Sequence, residues 1–324
     1  MSGMWGNNLK ISIFGESHGE AVGITMCGLP AGLAVDYDFI AAELLRRAGG
    51  YDALSTTRRE PDEFRFISGV FNGKISGSTV CCIIPNTDTR SADYEKMKGK
   101  MRPSHADYTA FVKYGGNNDY RGGGHFSGRV TAALVVAGAL AKAYLKTKGV
   151  EIEGRLVTEG LDEKILAAKA ECDSVGGVAE AVARGVPAGV GSPFFDSVES
   201  VISHLLFSIP GVKGVEFGAG FALADMRGSE ANDQMYAENG RVMTYTNNSG
   251  GINGGITNGM PIVVRAAFRP TPSIAKEQKT VEMPSMENVI LSVHGRHDPC
   301  IARRGAVVVE SALAIGIADL MLGA

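Results

Sequence analysis

Between residues 101 and 131 the chain reads MRPSHADYTAFVKYGGNNDYRGGGHFSGRVT, the densest concentration of reactive side chains in the sequence. His105 and His125 share it with Arg102, Arg121 and Arg129, and with the consecutive glycines Gly122, Gly123 and Gly124. Glycines let the backbone approach a ligand closely, and guanidinium forks match phosphate or carboxylate oxygens. The segment runs into TAALVVAGALAKAYLK, a helical pattern, so an anion held by the glycine turn would also meet a helix N-terminus. These residue types suit an anion-binding, catalytic centre.

Other groups compete for attention. Gly15-Glu16-Ser17-His18-Gly19 matches the GxSxG elbow of serine hydrolases, which requires a helix directly after the serine. The adjoining EAVGITMCGLPAG favours a strand and a turn, so a hydrolase built on Ser17 stands as the rival reading. His18, between glycines at a strand end, is expected to face a cleft. The run His294-Gly295-Arg296-His297-Asp298-Pro299-Cys300 has metal-ligand residue types, yet Arg296 would repel a cation and Pro299 prevents a helix from aligning the ligands. A polar turn holding Arg296, His297 and Asp298 over a ligand fits better, and no metal is expected. GVFNGKIS is not a P-loop: its glycine spacing is one residue short and Ile75 follows Lys74.

Several elements must position these groups. Residues 9–14 alternate as a strand. Asp36 caps a helix through FIAAELLRRAGG that buries Ile40, Leu44 and Leu45, with Arg46 and Arg47 on its last turn, where they complement the dipole or bind a ligand. FRFISGVFNGKISGSTVCCIIPN reads as a hairpin turning at Asn72-Gly73. A long helix starts near Gly128, a strand covers residues 150–157, and a helical, alanine-rich pattern runs over residues 161–184. Val198, Val201, Ile202, Leu205 and Leu206 mark another helix, with His204 inside the apolar pattern as a structural residue. A turn at Pro210 and Gly211 enters a strand, PIVVRAAF forms another before two prolines, and residues 305–322 form a buried helix. The glycine spacing of residues 73–80 and 255–262 is similar, which suggests a duplicated half within a single domain covering residues 1–324.

Net charge is only −3 over 324 residues, which disfavours nucleic-acid binding through bulk charge, while clustered arginines suit a small polyanion. Five cysteines without a CxxC motif indicate a reducing cytoplasm. The longest near-apolar run, residues 130–141, is too short to span a bilayer, so no membrane partner is expected.

Taken in order, GESHGEAVG, RPSHADYTA, DYRGGGHFSGR, GVKGVEFG, NNSGGINGG, FRPTPSI and GRHDPC closely resemble the motifs of the chorismate synthase family, over nearly the whole chain. The resemblance implies an α+β fold, a β-α-β sandwich with helices between two antiparallel sheets, assembled as a homotetramer. It implies a carbon–oxygen lyase that removes phosphate from 5-enolpyruvylshikimate 3-phosphate by 1,4-elimination, giving chorismate with reduced FMN as cofactor. It places His18 near the leaving phosphate, His105 near the flavin, and Asp298 as a relay for the ring proton through flavin N5. It assigns flavin contacts to His125, Phe126, Ser127, Pro210, Gly211, Gly254, Arg269, Pro270, Thr271, Pro272, Ser273 and Arg296, and substrate anions to Arg47, Arg102 and Arg129. Three departures stand out. Ala53 replaces a usual arginine, which favours an external flavin reductant and keeps open a catalytically impaired flavin- or anion-binding homologue. His125 and Phe126 replace Arg followed by Ser or Ala, from which weaker or more pH-dependent FMN binding is expected. Arg269 replaces a common lysine and keeps its charge.

Overall fold

The alternating residues near the start of the chain form an antiparallel meander in the computed structural model, which describes residues 3–48, 54–55, 61–88, 92–95, 97–295 and 297–324. Gly49, Gly50, Ala53, Arg58, Arg59 and Arg296 lie outside the described residues. Strands β1 (Met4–Trp5), β2 (Lys10–Gly15) and β3 (Ala21–Cys27) precede α1 (Tyr37–Ala48). Asp36 caps α1, its Oδ1 accepting from the Phe39 amide at 2.9 Å. Strand β4 (Arg65–Ser68), the hairpin of β5 (Val70–Phe71) and β6 (Lys74–Ile75), and β7 (Val80–Pro85) follow. Asn72 and Gly73 turn the hairpin with φ of +48° and +70°, the left-handed pair that a tight two-residue turn requires. The first sheet has the order β1-β2-β3-β7-β4, antiparallel throughout.

Next come α2 (Ala92–Glu95), α3 (Asp107–Tyr114), α4 (Thr131–Lys146), β8 (Glu151–Leu156), α5 (Leu161–Ala170), β9 (Gly177–Arg184), α6 (Val198–Ser208) and β10 (Val212–Phe217). Beyond them lie α7 (Gly228–Ala231), the hairpins β11 (Met235–Glu238)–β12 (Arg241–Thr244) and β13 (Ile252–Asn253)–β14 (Ile256–Thr257), then β15 (Ile262–Phe268). The paired strands β16 (Gln278–Glu282) and β17 (Glu287–Leu291) lead to α8 (Ala302–Leu322). The second sheet has the order β10-β15-β9-β8, again antiparallel.

The helices lie between the two sheets. Helix α4 packs on β2, β3 and β7, α8 packs on β8, β9 and β15, and the two helices cross face to face. At the crossing a Cβ on Gly138 would overlap the side chain of Ser311, so glycine is what lets the backbones approach. Gly128–Lys146, which is α4 with the turn before it, and α8 are long and apolar enough to span a bilayer by length and composition alone, but 78% and 83% of their apolar stretches are buried inside the molecule, where they form the central layer.

The expected elements formed, with three corrections. Residues 171–184 do not continue a helix: α5 ends at Ala170 and β9 is an interior strand of the second sheet. Ala179, Ala181 and Ala183 all face inward with no exposure and give α8 a flat seat, so small residues selected for close packing imitate helix propensity. Leu45 is 57% exposed, and Glu43 and Arg47 take the buried positions instead. His204 is exposed on α6 rather than structural in the core.

Candidate active site

At the end of α1 the guanidinium of Arg47 is only 1% exposed, and its Nη2 donates to Asp62 Oδ2 at 2.6 Å. Its Nε is buried without a hydrogen-bond partner among the described residues. The other oxygen of Asp62 accepts from Arg129 Nη1. Arg129 sits on the short turn that delivers the glycine loop into α4, and also donates to Asn86 Oδ1 at 2.9 Å and to the Pro85 carbonyl at 3.1 Å. Arg304 on α8 donates to the Arg47 carbonyl at 2.9 Å and to Asp298 Oδ2 at 2.8 Å. Burial, with repulsion from Arg304 and Arg129 only partly offset by Asp62, pushes the Arg47 guanidinium down to about 10. Burial also pushes the Asp62 carboxyl up, but Arg47 and Arg129 outweigh it and hold it below the usual carboxylate range. Among the described residues, the guanidiniums of Arg47, Arg129 and Arg304 are bonded to the carboxylates of Asp62 and Asp298.

A second group surrounds His105. Its Nδ1 meets Asp107 Oδ1 at 2.7 Å, and the same carboxylate receives the fork of Arg102 at 2.7 and 2.8 Å. A carboxylate only accepts, so Nδ1 carries the proton and Nε2 is left as the reactive nitrogen. Burial lowers the affinity of His105 for a second proton; the Asp107 hydrogen bond opposes this, Arg102 and Arg269 reinforce it, and the net direction is down. Asp107 is pushed up by burial, but Arg102 and His105 more than reverse this and leave it strongly acidic. Arg102 also donates to the Gly122 carbonyl at 2.9 Å, and with five N–H donors its guanidinium keeps hydrogens beyond these three bonds. Arg269, following β15, donates to the Ser104 carbonyl and so ties the second half of the chain to the His105 turn.

Glycine is dictated at Gly122. Its φ is +68°, and a Cβ there would lie 2.5 Å from His18 Cδ2 and 2.7 Å from Ser17 Oγ. His18 is nearly buried, its ring set edge-on to Tyr94 at 5.0 Å. Ser17 is 1% exposed and is followed by β3, not by a helix, so the hydrolase elbow is absent and a hydrolase built on Ser17 is excluded.

These groups enclose a cavity of about 240 Å³, next to a wider cleft of about 760 Å³. His105, Phe126, Pro210, Gly211 and Arg269 form walls of both. The smaller cavity also gathers Arg47, Ser127, Arg129, Thr271, Pro272, Ser273 and Asp298. His125 lines only the wider cleft, its Nδ1 donating to the Gly15 carbonyl at 2.9 Å. His18, Arg102, Pro270 and Gly254 lie outside both walls, Arg102 lining a third cavity of about 220 Å³ with Tyr94 and Asp107, and Gly254 at the exposed tip of the β13–β14 hairpin. Sequence reasoning missed Asp62, whose partners lie 15 and 67 residues away, and also Asp107 and Arg304, although each of these bonds a charged partner close by in the chain. His297, noted only as part of its turn, also lines the small cavity, its buried Nε2 without a partner among the described residues, and burial with repulsion from Arg102 pushes its imidazole down to about 4.

Comparison with known proteins agrees with this geometry. The family model described as chorismate synthase matches residues 9–162 and 155–322. The chorismate synthase of Thermococcus kodakarensis is 46% identical over 346 residues, covering 98% of this chain and 97% of that protein. That of Chitinophaga pinensis is 48% identical over 323 residues, covering 98% of this chain and 96% of its own. A chorismate synthase crystal structure superimposes with a TM-score of 0.77 at 28% identity, covering 98% of this chain and 93% of that one. The chain belongs to the chorismate synthase family.

Proposed function

We propose that this chain removes phosphate from 5-enolpyruvylshikimate 3-phosphate to form chorismate, with reduced FMN held beside the substrate. The observation that carries this reading is the buried Arg47–Asp62–Arg129 group, whose two guanidiniums line a cavity bounded by His105 and Asp298. A substrate with one phosphate and two carboxylates suits guanidinium donors, and each charge-assisted hydrogen bond contributes about 1.5–3 kcal/mol. Arg47 and Arg129 hold anionic groups, and Arg102 is the proposed third anion-binding residue, through the N–H donors that its three bonds leave over. His18 donates a proton to the leaving phosphate oxygen, and the Asp298 carboxylate takes up the ring proton.

The residues also fit a flavin mononucleotide. Phe126, Ile209 and Pro210 supply an apolar wall for a planar ring system, and Arg269, Ser127, Thr271 and Ser273 supply donors for its polar edge and phosphate. His125, Gly211, Gly254, Pro270, Pro272 and Arg296 complete the proposed contacts, with His105 Nε2 as the proton-handling atom on that side. Reduced FMN, when bound, supplies an electron-rich ring to a C–O cleavage with no net redox change. Exposed Phe194, Phe195 and Phe221, at 84%, 93% and 80%, offer apolar surface for a homotetramer. Five free cysteines are in keeping with a cytoplasmic setting.

Anaerobic incubation with dithionite-reduced FMN and substrate is expected to release chorismate and phosphate in equal amounts. A preparation that binds FMN yet forms no chorismate overturns the proposal. With NADPH replacing dithionite, no turnover is expected, because an external reductant is proposed; turnover with NADPH alone refutes that part.

A further inference from the structure

We infer that His297 is a ligand-binding residue of the small cavity, its Nε2–H donating to an oxygen of the bound substrate or flavin. The inference rests on the proposed function, because it needs such a ligand in that cavity. His297 lies in the connection between β17 and α8 and lines the cavity together with Arg47, His105 and Asp298. Its Nε2 is shut off from solvent and has no hydrogen-bond partner among the described residues. Buried polar groups are nearly always paired, so an orphan on a residue that walls a binding cavity calls for a physical reason. A second orphan, Arg47 Nε, belongs to the same wall. A guanidinium N–H can only donate, so an acceptor is what that side of the cavity lacks. An oxygen-rich ligand provides acceptors for both nitrogens.

The surroundings decide what His297 can offer. Burial and the nearby Arg102 push its imidazole down to about 4, with Asp298 opposing and His105 reinforcing the shift, so the ring is neutral near neutrality. A neutral imidazole carries one N–H and one acceptor nitrogen, and a ligand oxygen selects the tautomer with the proton on Nε2. Gly295 provides the resting place of the ring. A Cβ there would lie 2.8 Å from Nε2 and 3.4 Å from Cδ2 and Cε1, so another residue would push the imidazole off its own turn. In this position Nε2 pairs with nothing, and a turn of the side chain brings it to a ligand oxygen. An unpaired buried nitrogen destabilises the ligand-free fold, and a ligand that pairs it recovers that loss on binding. An apolar replacement therefore acts in opposite directions on two quantities. The ligand-free protein loses an orphan and becomes no less stable, whereas the ligand loses a donor.

The test compares wild type with His297→Leu and with His297→Gln, which keeps an amide near the position of Nε2. Melting temperature is measured without ligand, 5-enolpyruvylshikimate 3-phosphate is titrated calorimetrically, and FMN is titrated by fluorescence quenching at saturating substrate. His297→Leu is expected to melt no lower than wild type and to bind substrate, FMN or both about tenfold or more weakly. His297→Gln is expected to recover most of that affinity. A loss confined to one titration assigns the oxygen to that ligand and supports the inference. A lower melting temperature for His297→Leu, or its failure to fold, marks a merely structural side chain and overturns the inference, as do unchanged affinities in both titrations. A wild type that binds neither ligand refutes instead the proposed function, and the inference falls with it.

Discussion

Replacing Asp107 by asparagine leaves its size unchanged and removes the charge that Arg102 and His105 share. Asparagine can still accept from Arg102 or from His105 Nδ1, but it no longer favours protonated imidazole. The hydrogen bond lost is charge-assisted, worth about 1.5–3 kcal/mol, which corresponds to roughly one to two pKa units. Burial already depresses His105, and the charges facing it are Arg102, Arg269, Asp107 and the imidazole of His297, so Asp107 alone among them favours the protonated ring. The pH–rate limb belonging to His105 is therefore expected to move to lower pH by about one to two units in Asp107→Asn. The imidazole 15N resonances of the ligand-free protein provide a second readout, with wild type fixed as the Nδ1–H tautomer and the variant a mixture.

Stability must change as well. Arg102 is 4% exposed at its side chain, and removing the charge of its buried partner costs about 3–5 kcal/mol. Asp107 is more acidic folded than unfolded, so its stabilisation is fully present above its unfolded pKa, near the ordinary 3.8, and is lost as pH falls through the folded value. The gap in unfolding free energy between wild type and variant should thus be constant at neutral pH and close only below about pH 4. Superimposable pH–rate profiles with unchanged imidazole resonances would refute the tautomer argument, whatever the stability difference.

The packing leads to three further outcomes. Lys142 on α4 bonds Glu43 on α1 and Glu310 on α8, with Arg46 bridging the same carboxylates at 2.7 and 2.6 Å, so Lys142→Met should lower the urea-derived unfolding free energy by about 3–5 kcal/mol. Burial pushes Glu43 up but Lys142 outweighs it, so its contribution is present above the ordinary 4.5 and is lost as pH falls through the lower folded value; thermal melts across that range check it. Gly138→Val forces α4 and α8 apart and should cost at least about 1–3 kcal/mol, read as a lower melting temperature; an unchanged melt means the crossing is looser than described. A fluorophosphonate probe is expected to leave Ser17 unlabelled in the folded protein, since the hydroxyl is buried and lacks an elbow; labelling at Ser17 would revive the hydrolase reading.

Much of this architecture is legible from local signals. Apolar alternation marks β2, the Asn72-Gly73 pair marks its hairpin, and the spacing of Val198, Val201, Ile202, Leu205 and Leu206 marks α6, because in each case the burial pattern and the local propensity agree. The failures arise where they conflict. Ala179, Ala181 and Ala183 are small because α8 lies against them, and small residues without branching read as helix. Leu45 is apolar yet exposed, because Glu43 and Arg47 claim the buried face of α1 for ion pairs made across the fold.

The same division runs through the site. Arginines, histidines and glycines announce themselves by type and clustering, so Arg47, His105 and Arg129 stand out in the linear sequence. Asp62 and Asp107 do not, since an aspartate in a loop or in the first turn of a helix is ordinary until its partners are known. Asp62 lies 15 residues from Arg47 and 67 from Arg129 along the chain, and no periodicity links such positions. Yet these two carboxylates decide how the visible groups behave: one sets the tautomer of His105, and the other joins two buried guanidiniums. A substrate or cofactor rewards the residues that touch it, whereas a folded site also needs counter-charges that touch only those residues. That second layer is written in three-dimensional contacts, and substitutions there should alter proton affinity and anion selectivity before they alter the fold.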